Sequence, residues 1–131
     1  MAHIRGDFRL IWFGEHLGDN ASDLNVPWAS FVGNQTSVRN FHIDNVPTGE
    51  AYLLVQTYDV HDSGHRIVIN GVDLSGFDIP REAGGWQTWM DAINSSLLIQ
   101  GNNTIQIRRN TASGDNFVVG NVAVHYREHE D

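Results

Sequence analysis

The stretch that decides the fold runs from residue 65 to residue 109; it opens HRIVINGVDL (65–74) and closes LLIQGNNTIQIRR (97–109). In its first part, Ile67 and Ile69 alternate with residues of the opposite face and then meet Asn70-Gly71. This dipeptide most readily takes positive φ at both central positions of a tight hairpin turn. A strand is therefore predicted to end at Asn70, where the chain doubles back.

The second part of the stretch repeats this pattern. Turn residues at 101–103 precede Ile105 and Ile107, which point to one face of a strand, while Gln106 and Arg108 point to the other. This alternation predicts a strand with one buried face and one face in water.

The rest of the chain adds further strands. They are predicted at Phe8–Phe13, apolar on both faces and therefore central or covered, at 36–43, at 50–60 and at 117–126. In the last of them the apolar phase slips beside Gly120-Asn121, which predicts a β-bulge, and residues 127–131 are interpreted as a charged tail. About eight strands without a long amphipathic helix predict an all-β, antiparallel jelly-roll β-sandwich, a single domain over residues 1–131.

These turn and core residues carry a family resemblance. The run from Ile67 to Gly71, together with Leu98, Gly101, Asn103, Thr104, Ile105 and Ile107, resembles the second half of galactose-binding-like jelly-roll modules, such as the sugar-binding domains of β-galactosidases and β-glucuronidases. The segment from Asp115 to Val124 is similar to their closing strand. The resemblance covers about half of the chain and implies a fold more than a ligand.

The resemblance also bears on an ambiguous segment. Trp86, Trp89, Met90 and Ile93 have the i, i+3, i+4, i+7 spacing of a helical face. The resembled fold favours a strand at 86–90, followed by a turn of helix near 94–98 that Asn94 or Ser95 could cap.

Composition limits the choice of partner. Sixteen acidic residues against eight basic ones give a formal net charge of −8, and a field of this sign repels phosphate backbones and anionic membranes. Nucleic acid is therefore not an expected partner. All eight basic residues are arginines, which either genome composition or adaptation to high salt explains.

The sequence contains no cysteine and no long apolar run. Disulfides and cysteine metal sites are excluded. No segment approaches the roughly 18 apolar residues that span a bilayer, and residues 1–7 lack the apolar core of a signal peptide, so no membrane insertion is expected. The compartment is not indicated, and a homo-oligomer is left open.

Aromatic residues and polar residues together suggest a sugar site. Sugar sites use a flat ring to cover the apolar face of a pyranose, while carboxylate, amide and guanidinium groups bind its hydroxyls. The residues predicted to bind the ligand are Trp28, Asp62, His65, Arg66, Trp86 and Trp89. Trp86 is placed at the centre because Gly84-Gly85 precede it; the alternative is that the tryptophans are packing residues.

A loop of about 20 residues is predicted from Gly14 to Asn34, and its acidic residues suggest calcium. Calcium takes several oxygen ligands, and many modules of the resembled family hold a structural calcium ion between their first loop and last strand. The predicted ligands are Glu15, Asp19 and Asp23, with Glu128 from the end of the chain. The alternative is a solvated acidic loop. The segment from His61 to His65 also has metal-binding residue types but is better interpreted as a hairpin tip.

Catalytic motifs are not found in the sequence: it has no G-x-S-x-G elbow, no phosphate-binding glycine loop and no recognisable pair of catalytic carboxylates. The predicted function is non-catalytic carbohydrate binding, as a lectin or as an accessory module. The alternatives are a structural or assembly protein whose aromatic residues bind a protein partner, and a small enzyme acting on sugars.

Overall fold

A computed structural model describes residues 3–74, 79–93 and 96–130, which form two β-sheets packed as a sandwich. The described strands are β1 (His3–Leu17), β2 (Ser30–Gly33), β3 (Arg39–Ile43), β4 (Pro47–Val60), β5 (Arg66–Ile69), β6 (Val72–Asp73), β7 (Glu82–Ile93), β8 (Gly101–Arg108) and β9 (Phe117–Glu130), with a short 3-10 turn at Ala21–Asp23. The five-stranded sheet has the order β2-β1-β9-β4-β7, and the four-stranded sheet β3-β8-β5-β6. The predicted β-sandwich is confirmed.

The hydrophobic core lies between the two sheets. Alternate residues of each strand enter it, as Leu53 and Val55 do from β4 and Ile105 and Ile107 from β8, and all four are at most 1% exposed. Burying one such side chain contributes roughly 1.5–3 kcal/mol. The alternation of apolar residues along each strand therefore indicates which side chains enter this core.

The hairpin at Asn70-Gly71 forms as predicted. Val68 pairs with Asp73 and Ile69 with Val72, and the two turn residues have φ angles of 51° and 79°. The Asn70 side chain also donates to the carbonyl oxygen of Leu97 at 2.6 Å and accepts from the backbone N–H of Thr104 at 2.8 Å. This turn therefore joins two strands of the sheet and also anchors the start of β8.

The predicted bulge beside Gly120 is present. Between β4 and β9, Val55 pairs with Val122 and Thr57 with Val119, so that Gln56 stands opposite Gly120 and Asn121. The extra residue brings Phe117 and Val122 to the same buried face. The phase slip in the sequence is therefore a real irregularity of the sheet.

β1 was predicted to be central or covered; it is central, but its outer face is not covered. Ile11 and Phe13 are buried, but Phe8, Leu10 and Trp12 on the outer face are 55%, 62% and 55% exposed. β1 lies inside its sheet, between β2 and β9, so its central position is as predicted while its outer face is open.

Three further expectations are corrected. Residues 127–130 are not a tail but the end of β9, where Glu128 is fully buried. The pairing of β1 with β2 is parallel, an exception to an otherwise antiparallel fold. Gln106, which was expected to face water, is buried, and its side-chain amide donates to the carbonyl oxygen of Thr36 at 2.9 Å.

The ambiguous segment at residues 86–98 lies only partly within the described residues. The segment at 86–90 is a strand, as the resemblance implied, whereas Asn94 and Ser95, the predicted caps of a helical turn, lie outside the described residues. No helix in the described part of the chain is long and apolar enough to cross a membrane.

Candidate functional site

Three aromatic rings meet at the outer surface of the five-stranded sheet, and we call Trp28, Tyr58 and Trp86 the aromatic cluster. The ring centroids lie 5.3 Å apart for Tyr58 and Trp86, 5.6 Å for Trp28 and Trp86, and 5.9 Å for Trp28 and Tyr58. Trp28 is 52% exposed and Trp86 44% exposed. Aromatic pairs at such distances stabilise one another by about 0.5–1.5 kcal/mol, so the cluster is held in place while its tryptophans remain open to solvent.

Strand pairing places two of the rings, and a local turn places the third. Tyr58 of β4 and Trp86 of β7 are register partners, so their side chains leave the sheet on the same face. Trp28 comes from the loop before β2, where Ala29 N–H donates to the Val26 carbonyl at 3.0 Å and closes a turn with Pro27 and Trp28 at its corner. Val26 is buried and anchors this turn.

Two side-chain amides stand beside the cluster at the bulge of β9. Gln56 Oε1 accepts hydrogen bonds from the backbone N–H and the side-chain Nδ2 of Asn121, at 3.2 and 3.4 Å. Within the described residues Gln56 Nε2 has no partner, so it can donate to a ligand. A Cβ atom at Gly120 would lie 2.6 Å from Gln56 Oε1 and 3.0 Å from Trp86 Cζ3. The glycine therefore makes room for both side chains.

A polar depression adjoins the cluster. It has a volume of about 190 Å³, and its lining includes Asp23, Asp59, His61, Asp62 and Asn116. Asp59 directly follows Tyr58, has a positive φ of 64°, and accepts a hydrogen bond from the backbone N–H of Gly84, two residues before Trp86. The depression therefore brings hydroxyl-binding groups close to the rings.

Asp115 fixes the loop that forms one wall of this depression. Its carboxylate accepts from the backbone N–H groups of His61 and Asp62 and from the ring of His65 at 2.8 Å. Burial alone would raise the pKa of Asp115, but the hydrogen bond from His65 and those from the two backbone N–H groups outweigh it and lower this pKa. The ionised carboxylate is thus a structural anchor.

His65 is part of that anchor and is 1% exposed. Its Nδ1 accepts from the backbone N–H of Asn110 at 2.9 Å, so Nε2 carries the proton donated to Asp115. Both ring nitrogens are used, so neither is free to contact a ligand, although His65 was among the predicted ligand-binding residues.

The other predicted ligand contacts divide between two regions. Trp28 and Trp86 meet in the cluster, and Asp62 lies in the adjoining depression. Trp89, 46% exposed, pairs with the buried Val55 and therefore points to the opposite face from Trp86. Arg66 lies on the four-stranded sheet, where it pairs with Asp73 at 3.5 Å.

Four members of the site were not predicted: Gln56, Tyr58, Asp59 and Asn121. The sequence contains no local signal for Tyr58, because only the pairing of β4 with β7 sets it beside Trp86. A partial signal existed for Gln56 and Asn121, since the predicted bulge is the place where they meet.

The four predicted calcium ligands do not come together. Glu15 accepts from the backbone N–H and Oγ of Ser37 at 2.8 and 2.7 Å. Asp19 pairs with Arg109 at 2.6 Å, and Asp23 contacts Asn20. Glu128 pairs with Arg5 at 2.8 Å and accepts from the backbone N–H of Asn45.

The positions along the strands explain this separation. Glu15 pairs with Val119, nine residues before Glu128 on β9, which is roughly 30 Å along an extended strand. No group of three or more histidine, aspartate or glutamate side chains in the described residues could hold a metal ion. Calcium binding itself stays a prediction.

Comparison with known proteins gives a family and a set of similar folds. Residues 5–128 match the model of a family of unknown function, DUF7383, and the chain belongs to this family. A comparison with curated proteins gave no match.

Several solved structures share the fold. The CBM36-1 domain of a multidomain xylanase from the hindgut metagenome of Trinervitermes trinervoides is similar with a TM-score of 0.56 at 13% identity, over 90% of this chain and 96% of that one. A family 35 carbohydrate-binding module from Clostridium thermocellum is similar with a TM-score of 0.53 at 20% identity, over 70% and 69%. Dimeric latent PorU from Porphyromonas gingivalis has a TM-score of 0.56 at 12% identity, over 95% of this chain but 13% of that protein.

Proposed function

We propose that this member of the DUF7383 family is a non-catalytic carbohydrate-binding protein, an accessory module or a lectin of galactose-binding-like type. The observation that carries the proposal is the aromatic cluster: two half-exposed tryptophans held against Tyr58, with free hydrogen-bonding capacity at Gln56. Carbohydrate-binding modules of families 35 and 36 share the fold, which supports the choice of ligand class.

The cluster divides the work of sugar recognition between its parts. The indole rings of Trp28 and Trp86 are tilted by 35° to one another, so each offers a separate platform for the C–H face of a pyranose. Gln56 Nε2 can donate to a hydroxyl, and the carboxylates of Asp59 and Asp62 in the polar depression can accept from hydroxyls. Such an open site is expected to bind in roughly the millimolar to micromolar range, because each hydroxyl exchanges water for protein at little net gain.

The test uses two tryptophans of the same strand. A glycan array identifies the best oligosaccharide, and calorimetry then compares Trp86→Ala with Trp89→Ala. We expect Trp86→Ala to weaken binding at least about tenfold, which requires the loss of only about 1.4 kcal/mol of contact energy. Trp89→Ala is the matched control, because Trp89 is equally exposed but points to the other face, and it should keep the affinity within about twofold.

Thermal melting of both variants separates binding from folding. If Trp86→Ala unfolds, or loses the roughly 3–5 kcal/mol typical of a core aromatic, the ring is packing and the site is wrong. Equal losses of affinity in the two variants would also contradict it. If no glycan binds the intact protein, the structural or assembly interpretation takes its place.

A further inference from the structure

A second surface lies on the same face of the sheet and meets the aromatic cluster at the Gln56–Asn121 pair, where Trp12 is the register partner of Asn121. We call it the apolar face; it consists of the outward side chains of Phe8, Leu10, Trp12, Tyr52, Leu54 and Met90, from β1, β4 and β7, and the stretch of β9 between them. Apart from Leu54, these side chains are 40–62% exposed. So large an exposed apolar surface is unusual for a protein that functions alone.

The area of the apolar face suits a protein interface. A half-exposed large side chain leaves about 100 Å² open, so the five exposed side chains, with Leu54 and the smaller residues among them, offer roughly 600–800 Å². A stable complex buries about 800 Å² on each partner, whereas the largest patch of a typical monomer is about 300–600 Å². The face therefore reaches the size of a standard interface.

The charge around this face favours a second copy of the same chain. The protein carries a net charge of −8, so most of its surface repels another copy. Here, however, Asp7 pairs with Arg9 at 3.2 Å and Glu50 with Arg127 at 3.2 Å, which leaves Asp91 as the remaining carboxylate among the residues lining the groove of this face. Two copies can meet on this surface with little repulsion.

The face contains both a groove and exposed side chains beside it. A groove of about 770 Å³ runs across residues 6–8, 49–52, 90–93 and 125–127. Its floor is the ring of His125, stacked 4.6 Å from Tyr52 and 5.5 Å from Phe8. Leu10 and Trp12 stand outside this groove and are 62% and 55% exposed, so they form a ridge beside it.

We propose that the apolar face is the interface of a homodimer, in which the Leu10–Trp12 ridge of each copy enters the groove of the other. A two-fold axis produces this exchange, because an isologous interface uses the same patch on both copies. The aliphatic side chains of Leu10, Leu54 and Met90 offer nothing to sugar hydroxyls, so this face is distinct from the proposed sugar site, and the dimer does not depend on that proposal.

The first test measures the oligomeric state in solution. In sedimentation equilibrium the wild-type protein should be dimeric at tens of micromolar, since standard-size interfaces have Kd values from micromolar to picomolar. Leu10→Glu should weaken the dimer at least about a hundredfold, because the carboxylate would be buried without a partner. The matched control is Val72→Glu, since Val72 is 47% exposed on β6, on the other sheet; this variant should remain dimeric. A monomeric wild type, or a dimer that Leu10→Glu leaves intact, would overturn the proposal.

The second test uses the absence of cysteine from the chain. Leu10, Ala123, Leu54 and Met90 are consecutive register partners across four strands, so Leu10 and Met90 lie roughly 14 Å apart within one copy. A disulfide needs Cα atoms within about 7 Å, so the double variant Leu10→Cys/Met90→Cys cannot close within one chain. Ridge-in-groove packing should give a covalent dimer on mild oxidation, and much less with either single variant. Equal yields from the single and double variants would show random collision and overturn this packing.

Discussion

His65 shows how the surroundings of a residue, rather than its type, decide its role. Two histidines and an aspartate within residues 61–65 suggest a ligand or metal site, yet the chain turns His61 outward and His65 inward. The partner that decides this, Asp115, is fifty residues away in sequence. Its carboxylate holds both the buried ring and the backbone of the loop beside the proposed sugar site, so it acts on ligand binding only by positioning that loop.

A second buried polar residue gives a prediction about pH. Tyr126 is 3% exposed, and its hydroxyl has no hydrogen-bond partner within the described residues. Burial raises the pKa of Tyr126 to about 12. The unfolded chain therefore loses this proton near pH 10 while the folded protein keeps it, so the free energy of unfolding falls as the pH rises from about 10 to about 12, by up to about 3 kcal/mol.

The variant Tyr126→Phe should remove this part of the pH dependence and, at neutral pH, should raise the free energy of unfolding by on the order of 1 kcal/mol, because the unpaired hydroxyl disappears. Urea unfolding at neutral pH and between pH 10 and pH 12 measures both effects. The chain has no lysine to titrate in this range, and the other two tyrosines, Tyr52 and Tyr58, are present in both proteins, so the difference between wild type and variant isolates Tyr126. A wild type and variant that lose stability in parallel would contradict this account.

At the scale of elements, the signals that the sequence provides are local. The Asn70-Gly71 turn and the phase slip at Gly120 could be predicted because each is set by neighbouring residues. The pairing of Tyr58 with Trp86 could not, because it joins strands 28 residues apart, and any register of two apolar strands looks equally good in sequence. For the same reason the sequence left open whether β1 is central or covered: its outer side chains are apolar, and only the three-dimensional arrangement shows that they face solvent.

The bulge of β9 gives a prediction about the proposed sugar site. In Gly120→Ala, the new methyl group would press on Gln56 Oε1 and Trp86 Cζ3, at 2.6 and 3.0 Å. The Gln56 amide must shift and its hydrogen bond to Asn121 weakens. We expect stability to fall by only about 1 kcal/mol, since the end of a flexible side chain can move, whereas sugar affinity should fall severalfold and tryptophan emission should change.

The control for this variant is Gly85→Ala. Gly85 precedes Trp86 directly, but a Cβ there would have no atom within 4 Å, so stability, emission and sugar affinity should all stay as in the wild type. Calorimetry with the best oligosaccharide and denaturant unfolding provide the measurements. If Gly120→Ala binds as well as Gly85→Ala, the amides at the bulge are not part of the site.

At the scale of the whole molecule, the sheet has two surfaces of different chemistry on one face. The aromatic cluster combines rings with amides and carboxylates, while the apolar face combines rings with aliphatic side chains. The Gln56–Asn121 pair at the bulge, with Trp12 beside it, marks the boundary between them. A single strand irregularity therefore marks the boundary between the proposed sugar site and the proposed dimer interface, and these correspond to the two functions that the sequence had left as alternatives.

Net charge gives the last prediction, which concerns the proposed dimer. Two chains that each carry −8 repel one another over their whole surfaces, while the contact between their apolar faces is almost uncharged. Raising the ionic strength from about 0.1 M to about 1 M shortens the screening length from about 10 Å to about 3 Å, so the repulsion vanishes while apolar burial remains. The dimer should therefore tighten with salt, its Kd falling by about tenfold or more in sedimentation equilibrium, which corresponds to about 1.4 kcal/mol.

Leu10→Glu should stay predominantly monomeric across the same range, which controls for nonspecific salting-out. A dimer that instead dissociates as salt is added would be held by ion pairs, and the apolar face would not be its interface.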